Sequence, residues 1–151
     1  IMPISALNNI GVDGLIKVIK GYLKPGPLYF PEDYITDRPE KFVVSEIIRE
    51  KALMYLQDEV PHGIAIEVEE MKDRKDKNLV DIRANIICEK KSHKSIIIGQ
   101  NGRKIKGIGK SAREDIERLL GSQVNLQLWV KISQDWRDNN YLLRTLGYDK
   151  K

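Results

Sequence analysis

Cysteine and histidine are scarce in this sequence of 151 residues, which contains one cysteine, Cys88, and two histidines, His62 and His93. A lone cysteine excludes an internal disulfide and suits a reducing cytoplasm, and its apolar surroundings favour a buried thiol over a nucleophile. Three such residues do not make a convincing metal site. The sequence therefore predicts neither a metal centre nor a disulfide framework.

Long hydrophobic runs are also missing, since the longest is far below the ~20 apolar residues that a membrane-spanning helix needs. Hydrophobic residues make up 41% and charged residues 32% of the chain, a balance typical of folded globular proteins. We therefore expect one ordinary domain, or a small domain with an additional fragment, and no membrane span.

Negative charge is nearly absent from one stretch. Residues 89–113 carry eight basic residues against Glu89 alone, a net charge of +7, whereas the whole chain carries +4. Such a field suits a polyanion, either nucleic acid or anionic lipid, better than a small acidic metabolite. A merely solvated lysine face is the plainer alternative. The basic residues are Lys90, Lys91, Lys94, Arg103, Lys104, Lys106, Lys110 and Arg113.

The same stretch contains Gly109-Lys110-Ser111, which has the form of the end of a nucleotide-binding P-loop. A P-loop requires a further glycine five positions before its second glycine, and that position is Lys104. The Asp-x-x-Gly and Asn-Lys-x-Asp motifs of GTPases occur nowhere in the chain. We therefore expect this chain not to be an enzyme and to need no cofactor of its own.

Gly99-Gln100-Asn101-Gly102 offers a better explanation of the basic stretch. Two glycines separated by two small polar residues favour a tight turn that a sugar-phosphate backbone can approach closely. The free amides at the start of the following helix attract phosphate. An ordinary turn between two helices is the alternative, because Gly-x-x-Gly alone is a weak signal.

Periodicity predicts the elements on either side of this turn. Apolar residues recur at helical spacing in some segments and alternate with polar ones in others. Residues 24–40 contain four prolines, which predicts an ordered linker. The chain would divide into residues 1–24, residues 25–40 and residues 41–151. Strands are expected at 1–5, 64–71, 79–90 and 124–132, and helices at 12–23, 44–60 with Ser45 as its cap, 94–98, 105–120 and 135–148.

This order, with Gly-x-x-Gly between two helices, resembles the KH domain of type II, whose GXXG turn clamps about four nucleotides. The resemblance implies an α+β fold with a three-stranded sheet and helices on one face. No aromatic residue occurs from 79 to 120, so aliphatic side chains and the backbone of the second strand, residues 83–88, would contact bases in place of an aromatic platform. The predicted RNA-binding residues are Ile86, Lys94, Ile98, Gly99, Gln100, Asn101, Gly102, Arg103, Lys104, Ile105, Lys106, Gly109 and Arg113.

Longer phrases resemble the Era family of ribosome-associated GTPases along essentially the whole chain. The resemblance implies the last strand and helix of a GTPase domain, a linker and a KH domain, with Ser5 and Ala6 as remnants of guanine recognition. GTP and magnesium would belong to the full-length parent. The phrases are PISAL, PEDYITDRPEKFVVSEIIREKAL, EVPHGIAIEVE, HKSIIIGQNGRKIKGIGKSAREDIERLLG and VNLQLWVKISQDWRDN.

The family resemblance also implies a function. Its members bind the 3′ end of small-subunit ribosomal RNA, assist maturation of the small ribosomal subunit and contact the inner face of the membrane. We expect this chain to be their RNA-binding part, in the cytoplasm, with the missing GTPase domain as a partner. The alternative is a module that docks on proteins or anionic membrane surfaces without reading sequence.

Overall fold

The computed structural model describes residues 1–27, 39–56, 60, 63–74 and 76–148. The chain divides into two units, Ile1–Asp37 and Arg38–Lys151. Most of the proposed linker and the expected helix break at Pro61 and His62 lie outside the described residues. The three predicted domain ranges therefore stay a prediction.

The first unit contains the predicted helix, α1, at Val12–Tyr22. The strand predicted over residues 1–5 is not formed in the described part of this unit. Only an isolated bridge joins Ser5 to Ile10, through two backbone hydrogen bonds of 3.0 Å. That prediction was wrong because β-prone residues form a strand only where a neighbouring chain pairs with them, and residues 1–4 have no such neighbour in the described ranges.

The second unit contains a mixed three-stranded sheet made of β1 at Ile64–Arg74, β2 at Leu79–Cys88 and β3 at Gln123–Ile132. The spatial order is β1-β2-β3. β2 pairs antiparallel with β1, which contains an irregularity between Val68 and Glu70, and parallel with β3. β2 is therefore the central strand, with ladder hydrogen bonds along both edges, and among the described residues one edge of β3 pairs with no strand.

In the described part of the second unit, four α-helices accompany the sheet: α2 at Glu40–Leu56, α3 at Lys91–Ile98, α4 at Arg103–Leu120 and α5 at Asn140–Thr145. α2 begins earlier than predicted, directly after Pro39, and Ser45 is not its cap. The Ser45 side chain is buried within the helix, where its hydroxyl donates to the Phe42 carbonyl oxygen at 2.7 Å. Proline is well suited to a helix start because its ring fixes φ.

The main core lies between the sheet and helices α2, α3 and α4. Alternate residues of β2 point into it, and isoleucine dominates, as expected for a strand covered by helices. Fully buried examples are Ile48, Ile82, Ile97, Ile108 and Ile116. This arrangement confirms the predicted α+β class with a three-stranded sheet, and α2, α3 and α4 cover one face of it.

The C-terminal segment covers one end of the opposite sheet face. Trp136 and Leu146 are buried against Ala65 of β1 and Ile87 of β2. Arg137 fastens this segment to the end of β2, because its guanidinium donates to both carboxylate oxygens of Glu89, at 2.9 and 2.7 Å. Elsewhere on that face, Arg83 and Trp129 are exposed. Within the described residues, no helix combines the length and apolar character needed to cross a membrane.

Candidate nucleic-acid interface

The GXXG turn, Gly99–Gly102, joins α3 to α4 through left-handed backbone. Gly99 has φ 70°, Asn101 φ 53° and Gly102 φ 75°. The Gly99 amide donates to the Ser95 carbonyl oxygen at 2.9 Å, and the Gly102 amide donates to the Gly99 carbonyl oxygen at 3.1 Å. Glycine and asparagine are the residues that accept such φ values at low cost. The sequence thus folds here into a tight, well-defined turn, with Gln100 and Asn101 exposed at its tip.

The N-terminus of α4 lies immediately after this turn and is suited to bind an anion. Its N-cap, Gly102, provides no side chain to occupy the first amides, and the first turn of the helix contains no acidic residue. The Arg103 amide donates to the Gln100 carbonyl oxygen, and the positive end of the helix dipole attracts phosphate. Arg103 and Lys106 are exposed at this end of the helix. The turn and the helix start therefore combine backbone access, donors and positive charge.

A groove of about 410 Å³ runs beside the first half of α4, between that helix and β3. We call it the first groove. A Cβ at Gly109 would lie 3.5 Å from Leu128 Cδ1, so the glycine keeps the groove open. Its charged lining comes from α4 and much of its apolar lining from β3. The lining residues are Ile105, Lys106, Gly109, Lys110, Arg113, Leu126 and Leu128.

Two elements of the predicted base-reading surface are wrong. The Ile86 side chain is 0% exposed in the core, so it cannot touch a base. The backbone of residues 83–88 is paired with β1 on one side and β3 on the other, which leaves no edge for RNA. Leu126 and Leu128 of the outer strand β3 line the first groove, and sequence reasoning did not single them out. The alternation of VNLQLWVKI shows that they share one face, but only the strand order shows which face that is.

The other predicted RNA-binding residues lie at the turn and the start of α4, in the first groove, and on α3. The turn and the α4 start bring together Gly99, Gln100, Asn101, Gly102, Arg103 and Lys104, and the first groove contains Ile105, Lys106, Gly109 and Arg113. Ile98 ends α3 and is half-buried against the core. Lys94, one turn earlier on α3, lines a different groove near the end of β3.

Ser5 and Ala6, the predicted remnants of guanine recognition, lie in the first unit. Ser5 forms the isolated bridge with Ile10, and its hydroxyl accepts from the Asn8 amide at 3.4 Å. The Ala6 carbonyl oxygen accepts from the Asn9 amide at 3.3 Å. These contacts form a local turn, and the guanine role stays a prediction.

Several ionisable groups have shifted pKa values, all outside the turn. Burial raises the pKa of the Cys88 thiol, which makes it a poor nucleophile at neutral pH. Hydrogen bonds from Lys51 lower the pKa of Asp115, and hydrogen bonds from Arg137 lower that of Glu89. These are structural ion pairs. In the part of the chain that the structure describes, no three His, Cys, Asp or Glu residues gather to hold a metal ion.

A model of the KH domain family matches residues 59–137, just over half of the chain. The matched range contains the whole sheet, the GXXG turn and both helices that flank it. This chain belongs to the KH domain family. The family match agrees with the observed order of elements, in which the turn joins two helices that precede the parallel edge strand.

Relatives and solved structures extend the similarity over the full chain. The chain is 60% identical to the GTPase Era of Clostridioides difficile strain 630, over all of this chain and 51% of that protein. It is 59% identical to the GTPase Era of Alkaliphilus metalliredigens strain QYMF, over 99% of this chain and 50% of that protein. Two solved Era structures superpose with TM-scores of 0.91 at 44% identity, and each match covers 98% of this chain.

One of those structures is an Aquifex aeolicus Era variant bound to GDP·AlF4⁻, of which the match covers 50%. The other is Era in complex with MgGDPNP and nucleotides 1506–1542 of 16S ribosomal RNA, of which it covers 49%. The chain thus spans about half the length of the relatives it matches. It is similar to their C-terminal half, and the resemblance to the Era family is confirmed.

Proposed function

We propose that this chain binds single-stranded RNA at the 3′ end of small-subunit ribosomal RNA, as the RNA-binding part of an Era-like protein in small-subunit maturation. The observation that carries the proposal is the GXXG turn followed by the bare, basic N-terminus of α4. It is supported by the similarity to an Era structure that contains nucleotides of 16S ribosomal RNA.

Phosphates would bind first at the turn. Gly99 and Gly102 leave the backbone without side chains at both ends of the turn, and the positive end of the α4 dipole lies next to it. Arg103, Lys104 and Lys106 bring positive charge to the same place. Several phosphates of one strand can be held in this way, because KH domains clamp about four nucleotides at their GXXG turn.

Bases would then lie in the first groove. Its apolar lining, Ile105, Leu126 and Leu128, offers contact area without aromatic stacking. The unpaired edge of β3 offers backbone donors and acceptors to base edges. Sequence preference would therefore come from β3, while affinity would come from the turn and the α4 lysines.

Catalysis is not part of the proposal for this chain. The sequence contains no P-loop and neither of the other GTPase motifs. GTP and magnesium binding would belong to the half of the Era relatives that this chain does not match, and a GTPase domain would be the partner of this one. Ser5 and Ala6 would complete guanine recognition only together with that domain.

We place this function in the cytoplasm, where ribosomal RNA is assembled into ribosomal subunits. The basic stretch also gives a physical basis for peripheral contact with the anionic inner face of the membrane. Such contact would not depend on nucleotide sequence, and it is the alternative use of the same surface.

The salt dependence of RNA binding tests the electrostatic part of this proposal. On a single strand, log K falls by ~0.7 per log unit of salt for each phosphate neutralised. Three or four bound phosphates therefore predict a slope of about −2 to −3. Fluorescence anisotropy with a labelled RNA, repeated over a range of salt concentrations, measures this slope. A slope near zero would contradict phosphate binding at the turn.

A further inference from the structure

Trp129 lies on the sheet face opposite α2, α3 and α4. It is 47% exposed, whereas the other tryptophan, Trp136, is 5% exposed in the C-terminal cluster. Odd-numbered residues of β3 point away from α2, α3 and α4, so Trp129 faces solvent while its neighbours Leu128 and Val130 face the helices. An exposed tryptophan leaves a large apolar surface in contact with water, and a ligand that covers this surface gains binding energy.

A second groove, of about 570 Å³, lies around this side chain. Its volume is in the range of small-molecule sites. The groove includes residues on both sides of β3, so it follows the outer edge of that strand. It is lined by Glu69, Arg83, Asn85, Lys94, Trp129, Val130, Lys131 and Ile132.

Charge in the second groove is compatible with an anionic strand. Lys94 forms no ion pair within the described ranges. Glu67 and Glu69 both accept hydrogen bonds from Asn85 Nδ2, at 3.0 and 2.7 Å, and Lys131 Nζ lies 3.4 Å from Glu67 Oε2. The two carboxylates are thus held by neighbouring groups, and Lys94 supplies positive charge to the groove.

The second groove continues the first one. Leu128 lines the first groove and Val130 lines the second, and they are two residues apart on β3, about 7 Å at the usual rise of a strand. Lys94 lies one turn before the GXXG turn on α3. A strand of RNA that leaves the turn along the edge of β3 therefore meets Lys94 and Trp129 next.

We propose that Trp129 is a stacking subsite for one base of the bound RNA, beyond the nucleotides held at the GXXG turn, with Lys94 beside the adjoining phosphate. The inference rests on the proposed RNA-binding function and adds a residue to it. Every base has a π-face that can stack on an indole ring, so this subsite lengthens the bound segment without selecting one base.

Nested RNA oligomers with the sequence of the 3′ tail, about four and about eight nucleotides long, test the inference on the whole chain. The shorter RNA fills the clamp, and only the longer one reaches Trp129. We expect Trp129→Leu to weaken binding of the longer RNA about tenfold, within the range measured for one stacked base, and to leave the shorter RNA unaffected. Trp129→Phe keeps a ring and should retain most of the affinity. Tyr141→Leu is the matched control, because Tyr141 is 77% exposed on α5 and lines neither groove.

Tryptophan emission gives an independent measurement in the unsubstituted protein. Because Trp136 is buried, quenching by added RNA reports mainly on Trp129. The longer RNA should quench the emission and the shorter should not. Unchanged emission with bound longer RNA, or wild-type affinity of Trp129→Leu for it, would overturn the inference while leaving the proposed function intact. If the unsubstituted protein bound neither RNA, the proposed function and this inference would both fail.

Discussion

The side chain of Lys104 occupies the space next to the missing Cβ of Gly99. A Cβ built on Gly99 would lie 2.8 Å from Lys104 Cγ and 3.1 Å from the Lys104 backbone nitrogen, and Gly99 has φ +70°. Two features therefore require glycine at position 99. One is its backbone conformation, and the other is the close approach of the first turn of α4.

Gly99→Ala should lower both stability and RNA affinity. Gly99 combines φ 70° with ψ 175°, a backbone conformation found almost only in glycine that costs about 1–3 kcal/mol in other residues, and the contact with Lys104 displaces the start of α4. Urea unfolding and anisotropy measure the two effects. Gly121→Ala is the matched control, since Gly121 has φ +64° and an added methyl group there would meet no atom within 4 Å. It should lose some stability through its backbone conformation alone, less than Gly99→Ala, and keep its RNA affinity. Equal affinity of both variants would contradict a role for the geometry at Gly99.

Replacing both polar residues of the turn by aspartate should abolish binding. Gln100→Asp with Asn101→Asp places two carboxylates against the phosphates, while the exposed side chains leave the core untouched. Aspartate also tolerates the left-handed conformation of Asn101. We expect a thermal midpoint close to that of the unsubstituted protein.

The control for this double variant is Asn8→Asp with Asn9→Asp. It makes the same change in charge at two exposed residues of the first unit, and Asn9 has the same φ of 53° as Asn101. The control should bind RNA almost normally. If the variant at 100 and 101 also bound normally, the assignment of the clamp would be wrong.

Gly109→Ala should change stability and binding in opposite directions. Its φ lies outside the left-handed region, so alanine fits the helix and should stabilise it by about 0.5–1 kcal/mol. The added methyl group narrows the first groove beside Leu128 and should weaken RNA binding. Gly109→Leu should weaken it further. Undiminished affinity of the leucine variant would show that bases do not enter this groove.

Asp115 connects α4 to α2 and should make stability depend on pH. Its carboxylate lies 2.6 Å from Lys51 Nζ, whose side chain is 14% exposed, and it also pairs with Arg118. These partners lower the pKa of Asp115. Because the pKa is lowered on folding, the Asp115 carboxylate adds to the free energy of unfolding above its unfolded-state pKa, ~3.9. This stabilisation is lost as the pH falls through the folded-state pKa.

Asp115→Asn should therefore lower the urea midpoint at pH 7 and change it little at a pH below both pKa values. Glu114→Gln, an exposed neighbour on the same helix, removes one carboxylate charge as a control and should have a much smaller effect at pH 7. Equal midpoints for the two variants at pH 7 would contradict a stabilising role for the Lys51–Asp115 pair.

The sequence was informative where local chemistry decides the structure. The pair Gly99 and Gly102 indicated the turn, and the isoleucine spacing from Ile105 to Ile116 indicated α4. The order of the strands depends on pairing between distant segments, which a local sequence pattern does not show. Ile86 was therefore predicted to bind RNA, although it lies on the central strand with its side chain in the core. Leu128 and Trp129 show the same limit, because alternation separates two faces but does not say which face the helices cover.

Competition between two RNAs tests the central claim most directly. A labelled RNA that copies the 3′ tail of small-subunit ribosomal RNA would be bound to this chain and displaced by unlabelled RNA of the same or scrambled sequence. The account predicts that the native sequence competes at clearly lower concentration, because β3 and the first groove contact the bases. Equal competition would contradict sequence recognition by this chain and leave only a basic surface that binds any polyanion.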